Sequence, residues 1–222
     1  MLVKAAAYPR GVTWGDGIEI AGVFVVLGLY AWSAAALAKS GLPRSRALPF
    51  LFLLAFTSYA LGHGMHVAAN SLHDMMAATG ARDVGGLAHF WDEWMGHVPV
   101  DLARILFVVA FVRMEREGWT GGTSTTPEGG SLPGPHRVLP IAGAAAYGFI
   151  YFATAVEGQT VFLALPFCIA LAIYGAAARS TPPSHAPVRA FFVAAAFVSL
   201  LLFAIWGVWQ RGFPEFTRAG IL

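Results

Sequence analysis

Long apolar runs alternate with short polar stretches along the whole chain. Six runs approach the ~20 residues that a bilayer-spanning helix needs. They cover about 18–38, 47–69, 89–114, 138–156, 160–178 and 188–210. The third is irregular. Its apolar part, Val98–Met114, extends N-terminally into an interfacial stretch that begins at His89 and ends at His97. Backbone groups in lipid must be satisfied within each span, so the fold class expected is all-α. The expectation is a polytopic membrane helical bundle of about six transmembrane helices, one membrane domain over residues 1–222. Residues 1–8 are too short for the apolar region of a cleavable signal, so the first span is expected to remain as an anchor.

The polar stretches differ in sign. Residues 39–46 carry Lys39, Arg44 and Arg46 and no acid. Residues 115–137, rich in Gly, Ser, Thr and Pro, read as a flexible loop flanked by Arg113, Arg116 and Arg137. Arg179 and Arg189 bracket the next such connection. The acids Asp16, Glu19, Asp74, Asp83, Asp92, Glu93, Asp101, Glu157 and Glu215 fall toward the other side. The positive-inside rule then puts the basic loops in the cytoplasm and both termini outside, in a multi-pass protein of the cell membrane.

Composition strengthens this. The chain is 57% hydrophobic and 12% charged, with a net charge of +2. That excludes a soluble globular domain, whose exterior must carry charge. No basic run suggests nucleic acid. The single cysteine, Cys168, permits no disulfide framework and reads as a small core residue.

Against this apolar background histidine is concentrated. Five of the seven lie between positions 63 and 97. On a helix, at ~100° per residue, His63, His66, Asn70 and His73 fall at about 0°, 300°, 340° and 280°, one face. His89, Glu93 and His97 fall at about 0°, 40° and 80°, with Asp92 flanking at about 300°. Two antiparallel neighbours would set these stripes opposite each other, pairing His73 with His89, His66 with Glu93, and His63 with His97. Ionisable groups inside a membrane usually face the bundle interior and mark function. Asp101 and Arg104, three apart, are expected to pair with each other. His136 and His185 stand beside prolines in loops and read as solvated.

Imidazoles with carboxylates suit a divalent metal. The metal-ligating candidates are His63, His66, His73, His89, Glu93 and His97, and the catalytic candidates are Asp92 and Glu93. Zinc or iron is the cofactor expected, with copper or haem b as alternatives. Three membrane enzyme families set standards that this chain does not meet. The H-x2-H of His63 and His66 is shorter than the boxes of diiron desaturases. The last span lacks the paired histidines of alkaline-ceramidase-like hydrolases, and no Gly-x-Ser-Gly of rhomboid proteases occurs. The function expected is a membrane metalloenzyme hydrolysing a lipid-like or amphipathic substrate with a metal-activated water. The alternatives are a di-iron, copper or haem oxidoreductase, and a metal-handling or ion-conducting protein.

Overall fold

The computed structural model describes residues 14–38, 45, 47–77, 82–119, 135–178 and 186–221. Among the described residues every regular element is helical. The elements are α1 (Trp14–Ala38), α2 (Ala47–Ala77), α3 (Arg82–Phe90), α4 (Val98–Trp119), α5 (Pro135–Glu157), α6 (Val161–Ala177) and α7 (Pro187–Gln210). A π-helical stretch, Trp91–His97, joins α3 to α4 with helical backbone on both sides. Four stretches are long and apolar enough to cross a membrane: Gly17–Ala36, Ala47–Leu72, Gly86–Glu117 and Pro187–Gln210. Val161–Ala177 is apolar but shorter.

Most helices outlast the apolar run that predicts them; α6 instead falls one residue short at each end of 160–178. α2 continues past residue 69 to Ala77, and helix begins at Arg82 ahead of His89. The loop expected at 115–137 is shorter than its composition suggests. α4 runs on to Trp119 and α5 opens at Pro135, while 120–134 lie outside the described residues. The Arg113–Glu117 ion pair, 2.8 Å at i,i+4, supports the last turns of α4. Proline suits the first helical position, where its missing N–H costs nothing. Hydropathy marks apolar length, whereas the helix ends where its backbone bonding ends.

The chain forms two compact units, one within 1–35 and 49–107, the other within 36–48 and 108–222. In the first, Phe107 of α4 is 0% exposed. Tyr30 of α1 stacks on it at 4.0 Å, and Phe56 of α2 meets it edge-on at 5.1 Å. Such aromatic pairs add to area burial by about 0.5–1.5 kcal/mol. None of the described residues of α1 is buried, so contacts of this kind hold it in place. α2 and the π-helical stretch approach backbone to side chain. A Cβ on Gly62 would stand 2.6 Å from the Gly96 carbonyl oxygen and 2.6 Å from Val100 Cγ2. Small residues at helix contacts allow this closeness.

The second unit packs α5, α6 and α7 around Phe152, Val156, Ala164, Cys168, Phe203 and Trp206. Cys168 is buried there, in keeping with a core residue. Gly148 lets α7 in so closely that a Cβ on it would lie 2.9 Å from Val198 Cβ. The Ser199 hydroxyl bridges the contact, 2.8 Å from the Gly148 carbonyl and 3.1 Å from that of Ala195. The Glu115 carboxylate accepts the first N–H groups of α7, from Val188 at 2.7 Å and Arg189 at 2.9 Å. It thus satisfies orphan donors at the positive end of that helix. Beyond α7 the chain turns at Arg211 and folds back. Trp206 Nε1 donates to the Pro214 carbonyl at 3.1 Å, and Glu157 accepts the Phe216 N–H at 2.9 Å.

Candidate metal centre

The site lies in the first unit and rests on three helical segments. α2 supplies His63, His66 and Asn70 one turn apart from each other, as its 3.6-residue period requires. The facing segment does not keep that period. In an α-helix, residues five apart stand ~140° apart and point away from each other. In a π-helix the bonding runs i→i+5 and each turn takes more residues, so residues five apart come much nearer to one face. Asp92 and His97 are five apart, both inside the π-helical stretch. Asp92 Oδ1 lies 4.0 Å from His97 Nε2. Such π-helical turns inside α-helices are frequent at functional sites.

His66 closes the group. Its Nδ1 hydrogen-bonds the Asp92 carboxylate, and its ring lies 4.5 Å, centroid to centroid, from that of His97. Asn70 Nδ2 is 3.1 Å from His66 Nε2. Both ring nitrogens of His66 thus have partners, Asp92 on Nδ1 and Asn70 on Nε2, and an ion would take the place of one of them. Ligand atoms of His66, Asp92 and His97 all lie within 4.8 Å of one another, and all three side chains are half-buried. Four ligands at ~2.0–2.2 Å from a tetrahedral ion stand roughly 3.4 Å apart, so modest adjustment would close this set on one ion. Two imidazoles and one carboxylate are a donor set that divalent zinc and iron share.

Glu19 was not foreseen. It lies near the start of α1, 3.0 Å from His63 Nδ1 and 3.6 Å from His66 Nε2. The signal in the sequence is an acid at the edge of an apolar span, which reads equally as an interfacial residue. His63 Nε2 is buried and makes no hydrogen bond in the structure. A carboxylate on one ring nitrogen, with the other left to face a ligand, is the habit of metal-bound histidines. His63 nevertheless stands outside the group of three, and its ring packs on Tyr59 at 4.5 Å.

The remaining candidates are placed as follows. His89 is 51% exposed and lies 3.8 Å from Glu93 on its own helical segment. His73 belongs to α2, and His136, expected in a loop, belongs to the first turn of α5; their side chains lie outside the described residues, as does all of His185. The expected rungs shift: His66 meets Asp92 and His97, where Glu93 was expected opposite it. Within the π-helical stretch Asp92 is the carboxylate that reaches His66. Deeper along α4, Asp101 is 2% exposed and accepts from Arg104 Nη1 at 2.7 Å, the pairing that their spacing predicts. Tyr59 of α2 is in hydrogen-bonding reach of the same guanidinium.

No protein family, no curated protein and no solved structure matches this chain in comparisons with each.

Proposed function

We propose that this chain is a multi-pass membrane protein that binds one divalent transition-metal ion through His66, Asp92 and His97 and uses it in hydrolysis. The observation that carries the reading is the convergence of these three donors within 4.8 Å, on two helical segments each apolar enough to cross a membrane. In this reading α5 and α6 also cross, giving six spans with both termini outside and the basic loops in the cytoplasm.

His66, Asp92 and His97 would hold the ion, which would supply Lewis acidity and lower the pKa of a water at the site toward ~7. The chain's own groups do the rest. Asn70 holds the His66 ring from its Nε2 side, which would leave Nδ1 to the ion beside Asp92. Glu19 holds His63 beside it. Glu93, a half-buried carboxylate on the same helical stretch and close enough for its charge to act on His66, would take the proton of an attacking water. Phe90, Trp91 and Trp94 are exposed around the site and suit an amphipathic, lipid-like substrate at the membrane interface.

A second reading rests on the same donors. Two histidines and one carboxylate also serve non-haem iron oxygenases, so redox chemistry at a mononuclear iron is the alternative. The close approach of the His66 and His97 rings favours an ion over haem b, since a macrocycle between two axial imidazoles holds them farther apart. The test is to purify the protein, identify its metal, and assay esters and amides of long-chain acids with the native ion. Zinc together with turnover lost in Glu93→Gln supports hydrolysis. Iron together with oxygen consumption supports the alternative.

A further inference from the structure

The second unit holds a groove of about 710 Å³ between α4 and α6. Its floor and walls are apolar, formed by Val108, Val112, Phe167 and Leu171 among others. One end is polar, carrying Arg113, Arg116, Glu117 and Tyr174. Both helices reach that end at their C-termini, close after residue 117 in α4 and residue 174 in α6. The groove is therefore graded: hydrocarbon along its length, guanidinium and phenol at its mouth.

The mouth is organised. Arg113 Nε donates to Glu117 Oε1 at 2.8 Å, and Arg113 Nη2 donates to Ser45 Oγ at 2.8 Å. Glu117 in turn accepts the Ser45 backbone N–H at 3.0 Å. The Arg113 head is thus held at the opening while 47% exposed. A guanidinium carries five N–H donors, and these two bonds use two of them. Ser45 stands in the sequence between Arg44 and Arg46.

We propose that this groove binds one anionic phospholipid, with an acyl chain along α4 and α6 and the phosphate on Arg113 and Arg116. Charge complementarity selects the occupant. Among the lining residues of the mouth are two arginines and one glutamate, and basic pockets between membrane helices take anionic headgroups. Arginine presents its donors in a planar fork that fits phosphate oxygens in pairs. An apolar groove of this size opening on such a mouth matches a lipid better than a soluble anion, which has no use for hydrocarbon walls. The site is separate from the histidine centre and does not depend on it.

Native mass spectrometry of the full-length, delipidated protein tests this, with palmitoyl-oleoyl phosphatidylglycerol or the matching phosphatidylcholine added at equal concentration. The expected result is one tightly held phosphatidylglycerol per chain and weaker phosphatidylcholine. In R113Q/R116Q, phosphatidylglycerol binding should weaken on the order of tenfold or more, with phosphatidylcholine unchanged. Ala170 lies exposed on the α6 wall, so A170W should fill the groove and reduce both lipids without disturbing the core. Thermal unfolding of each variant checks that it folds. Equal binding of the two lipids by the wild type would overturn the proposal. So would full phosphatidylglycerol binding by either folded variant, or displacement of the lipid by millimolar inorganic phosphate.

Discussion

Asp92 and His97 stand one π-helical turn apart, and that single turn sets Asp92 Oδ1 4.0 Å from His97 Nε2. With His66 across from them they form the one group of three metal-competent side chains found among the described residues. The wider turn matters more than the identity of any one ligand. Without it, Asp92 and His97 would point ~140° apart.

Glu19 orients His63 and lies near His66 without belonging to the group of three. Glu19→Gln should therefore weaken metal binding roughly 10–100-fold while leaving the stoichiometry at saturation intact. Titration with a fluorescent competitor for the metal checks this. An unchanged affinity would remove Glu19 from the site.

Gly62 and Gly64 are two residues apart on α2 and should respond oppositely to alanine. A Cβ on Gly62 meets the Gly96 carbonyl and Val100, whereas one on Gly64 meets nothing within 4 Å. Gly62→Ala should cost about 1–3 kcal/mol through overpacking. Gly64→Ala should be neutral or slightly stabilising, because alanine is the better helix former. Thermal unfolding of both variants in the same detergent reads the contrast.

The helical state of the apolar regions was legible in the sequence because a long apolar run has few other ways to satisfy its backbone away from water, although four of them among the described residues, not six, are long and apolar enough to cross a membrane. So was the pairing of Asp101 with Arg104, which needs only helical spacing. Two features of the site were not legible. The π-helical stretch Trp91–His97 leaves no mark on a 3.6-residue wheel, so the wheel turned Glu93 toward α2 where the structure turns Asp92. Glu19 was hidden for a different reason: its partner His63 is 44 positions away, and no periodicity connects them. Local pattern fixes what repeats within an element; contacts between elements depend on register and on where glycine permits approach.

Asp101 is buried with Arg104 as its partner. Asp101→Ala leaves a guanidinium in an apolar setting and should cost about 3–5 kcal/mol, as when one member of a buried pair is removed. The double replacement D101L/R104L should recover part of that loss. A double-mutant cycle of thermal stabilities measures the coupling, and simple additivity would show that the two side chains act independently.

His89 lies on the exposed flank, paired with Glu93 of its own segment. His89→Ala should therefore retain the metal at wild-type stoichiometry and change stability by less than about 0.5 kcal/mol. Loss of metal in this variant would extend the centre toward α3.

The most direct test of the central claim is the metal content of the purified protein and of three single variants, His66→Ala, Asp92→Asn and His97→Ala, by elemental mass spectrometry. The proposal predicts about one equivalent of a divalent transition metal in the wild type and loss of that equivalent in each folded variant. A wild type without stoichiometric metal after purification and reloading, or folded variants that all retain it, would contradict the proposal and leave His66, Asp92 and His97 as a hydrogen-bonded network between helices.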